Sequence, residues 1–216
     1  MGARELSSSE VRGAFPAGTV MHNPVTGEYA RVVEHTGERA VGELLAVPGA
    51  AVAGPHFHPA QEERFEVVDG VLGYRLGDRR GELRSGEAVT VPAGVVHDWW
   101  NAGAGNLRAR VTVTPPGLFA AMIGAVWGLA VVGRTNPKGM PKLVDAALLA
   151  EAFAPEIVFE RPPRAVQRAL AVTVAPIARR RGRSVTGDVM RTAIVPAERW
   201  PGPDDPGAVT SPQGSG

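Results

Sequence analysis

Between residues 28 and 114 the apolar positions come in short runs broken by Gly, Pro and Asp. The runs are EYARVVEH (28–35), AVGELLAVP (40–48), RFEVVDG (64–70), VLGYRL (71–76), AVTVP (88–92) and LRARVTVT (107–114). In the last, Leu107, Ala109, Val111 and Val113 alternate with Arg108, Arg110, Thr112 and Thr114. That period of two is the signature of a half-buried strand. Many short strands separated by turn residues predict a sandwich or barrel.

The texture changes at TPPGLF. Residues 117–133 are apolar and uncharged, and 142–153 and 163–181 read as two further helices. Pro163 suits a helix start, Gly182 a stop, and Pro176 a kink or early end of the last helix. From about 184 the chain becomes rich in Pro, Gly and Ser, which predicts a mobile tail. The expected organisation is a leader over 1–17, a mainly β barrel over 18–115, a helical extension over 116–183 and a tail over 184–216. No internal repeat is visible.

Composition narrows the chemistry. The 216 residues are 44% hydrophobic, enough to bury a core. A net charge of +1 gives no bulk attraction to nucleic acid, and none is expected as a partner. The chain has no cysteine, which removes disulfides, thiolate zinc sites and cysteine nucleophiles. The N-terminus has no apolar core of a signal peptide, and a cytoplasmic location is expected. LFAAMIGAVWGLAVV (118–132) has fifteen uncharged residues with Gly124 and Gly128 in the spacing of membrane helix dimers. A span needs about 17–25 apolar residues, so a buried helix or an oligomer contact is expected instead, with a homodimer as the expected assembly.

Two of the five histidines stand one residue apart in GPHFHPAQEERFEVVDG (54–70). In an extended chain His56 and His58 share a face and can present two imidazoles to one point. Histidine is the commonest protein ligand for metals. The stretch reads H-x-H-x4-E-x6-G, from His56 and His58 through Glu63 to Gly70. GEAVTVPAGVVHDWWN (86–101) reads G-x5-P-x-G-x2-H-x3-N, with His97 and Asn101 at its end. Together these resemble the two signature motifs of the cupin superfamily, over about residues 20–115. One departure is Ala50, where the family has glycine six residues before the first histidine; Gly49 stands one step earlier.

The resemblance implies a β jelly roll in which His56, His58, Glu63 and His97 bind one metal ion. Strand alternation also separates Glu63, Phe65 and Val67 from Glu62, Arg64 and Glu66, which favours Glu63 over Glu62 as the ligand. Asn101 is read as a turn-fixing side chain, and His22 and His35 as ordinary exposed residues. Three imidazoles and a carboxylate suit one divalent transition metal, Fe preferred, with Mn, Ni, Cu, Co or Zn open. Alternation places Trp99 beside His97 and turns Trp100 away. Phe65, Leu72, Val89, Val91 and Trp99 are the candidate walls of an apolar substrate cavity, with no inward cation placed by the pattern. The expected function is a metal-dependent enzyme on a small apolar or aromatic substrate, foremost a dioxygenase, with Glu63 as ligand and proton acceptor. A non-redox isomerase, cyclase or lyase, or a ligand-binding barrel without turnover, stands as the alternative.

Overall fold

The architecture is taken from a computed structural model that describes residues 10–11, 13–51 and 54–202. The barrel strands are β1 (Val20–Asn23), β2 (Glu28–His35), β3 (Ala40–Ala46), β4 (His56–Phe57), β5 (Glu62–Asp69), β6 (Val71–Leu76), β7 (Arg79–Arg84), β8 (Ala88–Val91), β9 (His97–Asn101) and β10 (Leu107–Thr114). Then follow α1 (Phe119–Val131), α2 (Leu143–Phe153), β11 (Val158–Phe159), α3 (Arg164–Arg180), α4 (Asp188–Arg191) and β12 (Ile194–Val195). The strands form two antiparallel sheets in the orders β12-β1-β2-β3-β10-β5-β8 and β11-β4-β9-β6-β7. This is a jelly-roll sandwich with a helical C-terminal part, as the short-run pattern and the two motifs predict.

Register fixes what faces the interior. Glu63 stands opposite Val113, and Val113 opposite Ala40; Leu107 stands opposite Ala46, and Ala46 opposite Glu28. Cross-strand partners share a face, and so do residues an even number apart along a strand. Glu63 and Glu28 therefore both point inward, at opposite ends of the large sheet. Phe65, Val67, Leu107, Ala109 and Val113 lie on that face with at most 3% exposure. The Ala50 departure is absorbed in the turn before it, where Gly49 takes a φ of 77°, a conformation that costs a residue with a Cβ.

The helices begin and end close to where the sequence puts them. The expected early end at Pro176 is corrected: α3 continues through it to Arg180. Proline removes one N–H and crowds one carbonyl, but most of this helix is exposed, so the freed carbonyl of Val172 can meet water.

Two boundaries also move. The expected tail from 184 is packed as far as 202: Met190 and Ala193 are fully buried, β12 pairs with β1, and Arg108 donates to the carbonyls of Pro201 and Gly202. The part of the tail beyond 202 lies outside the described residues. The leader likewise contributes Phe15, fully buried. Short apolar pieces in a polar stretch were enough to dock Phe15 and residues 184–202 onto an existing surface.

α1 explains its own two glycines. A Cβ on Gly124 would run into the Phe15 ring, and one on Gly128 into the Val189 carbonyl just ahead of Met190. The G-x3-G spacing therefore serves close packing within the chain, against the leader and α4. Among the described residues no helix is long and apolar enough to cross a membrane.

Candidate metal centre

Each candidate ligand is placed by the local sequence. β4 pairs with β9 so that His56 lies opposite His97 on the small sheet. His58 follows β4, and its carbonyl accepts the Gly94 N–H at 2.8 Å, which ties the turn of the second motif to the first. Glu63 approaches from β5 of the facing sheet. Its strand reads exposed at Glu62 and Arg64 and buried at Glu63, Phe65 and Val67, so the sheet interior receives Glu63 and not Glu62.

One donor atom from each of His56, His58, Glu63 and His97 lies within 4.8 Å of the others, and all four residues are buried. His97 Nε2 is 2.9 Å and His58 Nε2 3.5 Å from Glu63 Oε2. The other ring nitrogens are all held by backbone carbonyls: His56 Nδ1 by Gly54 at 2.9 Å, His58 Nδ1 by Glu156 at 2.5 Å and His97 Nδ1 by Val95 at 3.2 Å. A carbonyl on Nδ1 fixes the tautomer with Nδ1–H, so each Nε2 lone pair is free to face inward. His58 Nε2 is buried without a hydrogen-bond partner. A buried acceptor left unpaired costs about 1–3 kcal/mol, which a cation between these atoms would remove. The group fits a divalent metal.

The electrostatics suit that role. Burial, then the neighbouring His97 and His58 rings, push the His56 imidazole down to about 3, so it stays neutral. Burial works to raise Glu63, but the facing His58 and His97 rings prevail and hold it at about 2. His58 is penalised by burial yet net raised by the Glu63 carboxylate and the Glu156 carbonyl. At neutral pH the centre thus offers an ionised carboxylate and a neutral His56, the ligating forms.

The C-terminal part completes the centre. Phe119 of α1 meets the His58 ring at 5.6 Å and Phe159 of β11 meets the His56 ring at 6.1 Å. Gln61 Nε2 donates to Glu156 Oε2 at 2.8 Å and to the Pro116 carbonyl at 3.2 Å, locking the loop whose carbonyl orients His58. Sequence reasoning placed the helices but not these contacts, which join residues 55 to 103 positions apart. Asn101 fixes its turn as expected, donating to the Ala46 and Gly105 carbonyls and accepting from Gly103 N–H. His22 and His35 are corrected from exposed to half-buried: His22 stacks on Tyr29 at 4.2 Å, and His35 Nδ1 lies 3.3 Å from the Phe15 carbonyl.

From His56 and Glu63 an apolar slot of about 150 Å³ runs between α1 and the large sheet. Phe65 and Trp99 line it; Trp100 lies on the opposite face over Gly73. Leu72, Val89 and Val91 are corrected: they pack in the core and are not on the slot wall. β8 lies beyond β5 at the sheet edge, whereas the slot opens toward β10, β3, β2 and β1. Of the two cationic residues along it, Arg31 turns its guanidinium to Glu43 and the Trp200 ring on the other face of the sheet, and Lys138 is exposed at the mouth. Glu28 also lines it: it shares the inward row of β2 with Ala30 and Val32, although a glutamate is an unusual member of a buried row.

Glu28 is buried, and burial pushes its carboxyl from the ordinary 4.5 up to about 7, against the pull of a hydrogen bond from Thr26. The folded chain then holds a proton that the unfolded chain releases between these values. Stability from this group is complete below pH 4.5, declines as pH rises toward 7 and is flat above. The difference is worth about 3 kcal/mol. Glu28→Gln is expected to raise the melting temperature by about 6–10 °C at pH 8 and hardly at pH 4. Equal effects at both pH values in thermal melts would contradict the assignment.

A two-sheet jelly roll enclosing three histidines and one glutamate defines a class of metal-competent barrels. Residues 43–114, a third of the chain, match the family model for the cupin domain, and this segment holds all four side chains. No curated protein matches the sequence significantly. Among solved structures, KdgF from Halomonas sp. is 21% identical, with 41% of this chain and 79% of that one covered at a TM-score of 0.39. TT1209 from Thermus thermophilus is 23% identical over 44% and 89%, TM-score 0.41. An uncharacterized conserved protein with a double-stranded β-helix domain from Klebsiella pneumoniae is 22% identical over 54% and 93%, TM-score 0.38. Likenesses at this level carry no conclusion about activity.

Proposed function

We propose that the protein is a metal-dependent oxygenase acting on a small, largely apolar organic substrate, with dioxygen as oxidant. The observation that supports this most is the seating of four buried ligand-type side chains beside an apolar slot. His56, His58, Glu63 and His97 would hold one divalent transition ion, iron foremost. The ion would supply Lewis acidity toward a substrate oxygen and, if redox-active, access to dioxygen chemistry. The chain's own residues do the rest. Phe65, Trp99 and the α1 side chains exclude water and orient the apolar body. The backbone carbonyls on the three Nδ1 atoms keep the ligands in position. Glu63, ionised and desolvated, can accept a proton from a bound enol or phenol through Oε1 or Oε2.

Metal analysis after anaerobic purification, followed by oxygen uptake with a panel of phenols, enols and diketones, tests this reading. Oxygen-dependent turnover with iron and none with zinc is expected. Equal conversion with zinc, or without oxygen, would replace it with non-redox isomerase, cyclase or lyase chemistry at the same residues. Tight ligand binding without turnover in any metal form would make the barrel a binding protein.

A further inference from the structure

The slot has a second polar pole. Ala40 and Ala46, which mark the rows of Glu63 and Glu28, are six residues apart in β3, roughly 20 Å along the strand. α1, with 13 residues, is about as long. It roofs the slot over this length, from Phe119 beside His58 to Val126 and Trp127. Between the poles the wall is apolar: Ala30, Val32, Leu44, Val111, Met122 and Ile123 contribute. At the distal pole Glu28 is 4% exposed. The one hydrogen bond to its carboxylate among the described residues comes from Thr26 Oγ1 onto Oε2, which leaves Oε1 to the slot. Asn23 lies beside it, and the exposed Lys138 marks the lip.

We propose that Glu28 anchors the distal end of an elongated, mostly apolar ligand through a hydrogen bond to a hydroxyl, while the ligand's other end lies at the His56–Glu63 pole. A carboxyl in an apolar cavity without a full set of partners is costly to keep. A ligand hydroxyl both donates and accepts, so it satisfies Oε1 whether the group is ionised or not. The raised carboxyl pKa agrees, because it keeps Glu28 largely neutral up to about pH 7. The inference rests on the proposed metal reading only for what the near end meets.

Trp99 and Trp127 both line the slot, so their fluorescence reports occupancy. The full-length protein is titrated with decanol and with the α,ω-diol of decane. The wild type should bind the diol about tenfold more tightly, the worth of one good hydrogen bond. Glu28→Leu should reverse the preference, since the second hydroxyl is then buried unpaired, and leave decanol binding within about twofold. Glu28→Gln, which keeps the shape and the hydrogen-bonding capacity, should retain most of the preference and guards against a folding defect in the leucine variant. Equal binding of both probes by the wild type, no binding of either, or a preference that survives in Glu28→Leu would overturn the proposal. His97→Ala should keep the diol preference, so failure of the metal centre and failure of the distal anchor give different results.

Discussion

Alanine at position 97 is expected to leave the protein folded and nearly metal-free. Losing even a partner behind a ligand costs roughly 10–100-fold in metal affinity, and His97 supplies a ligand atom itself. The loss in competition titrations should therefore exceed about a hundredfold. Metal analysis should fall from about one ion per chain to a small fraction of that. The change also removes the 2.9 Å partner of Glu63 Oε2, which leaves a buried carboxylate with only the His58 ring near it, at 3.5 Å. Its carboxyl should then titrate higher, and metal binding should become more sensitive to acid. Full occupancy in the variant would remove His97 from the centre.

The candidate centre was legible because its signal is local in two places. H-x-H places two imidazoles on one side of a short strand, and burial alternation along β5 chooses Glu63. The strands β2, β3, β5, β6, β8 and β10 fall where the short apolar runs predict them. β7 did not announce itself, since RRGELR carries one apolar side chain and is mostly exposed. β11 and β12 have two residues each and exist by pairing with β4 and β1. Nothing in Val158–Phe159 or Ile194–Val195 alone specifies a strand.

The slot was less legible for the same physical reason. Its walls are set by which elements pack over the sheet, not by alternation within one strand. Phe65 and Trp99 follow from their strands' parity with Glu63 and His97. Leu72, Val89 and Val91 share inward parity but lie away from α1, so they became core. Glu28 shows the converse: parity makes it inward, yet its charge argued for the surface until Thr26 and the α1 roof gave it a buried position.

Gly128→Ala tests the packing of that roof. The added Cβ would be driven into the Val189 carbonyl, a backbone atom that moves only if α4 moves. Overpacking of a tight core costs about 1–3 kcal/mol, and a backbone obstacle places this change at the upper end, about 3 kcal/mol. For a chain of this size that lowers the melting temperature by roughly 6–12 °C. Gly124→Ala meets the Phe15 ring instead, a buried side chain whose adjustment leaves the backbone in place. Its cost should be about 1 kcal/mol or less, partly offset by alanine's better helix propensity. The contrast separates two meanings of one spacing. If the glycines served a helix dimer in a bilayer, both substitutions would weaken association and neither would change the melting of detergent-free monomer. If they seat α1 against α4 and the leader, Gly128→Ala unfolds the protein earlier and exposes Trp127, which fluorescence-monitored melts read directly. Similar stabilities for the two variants would refute the packing argument.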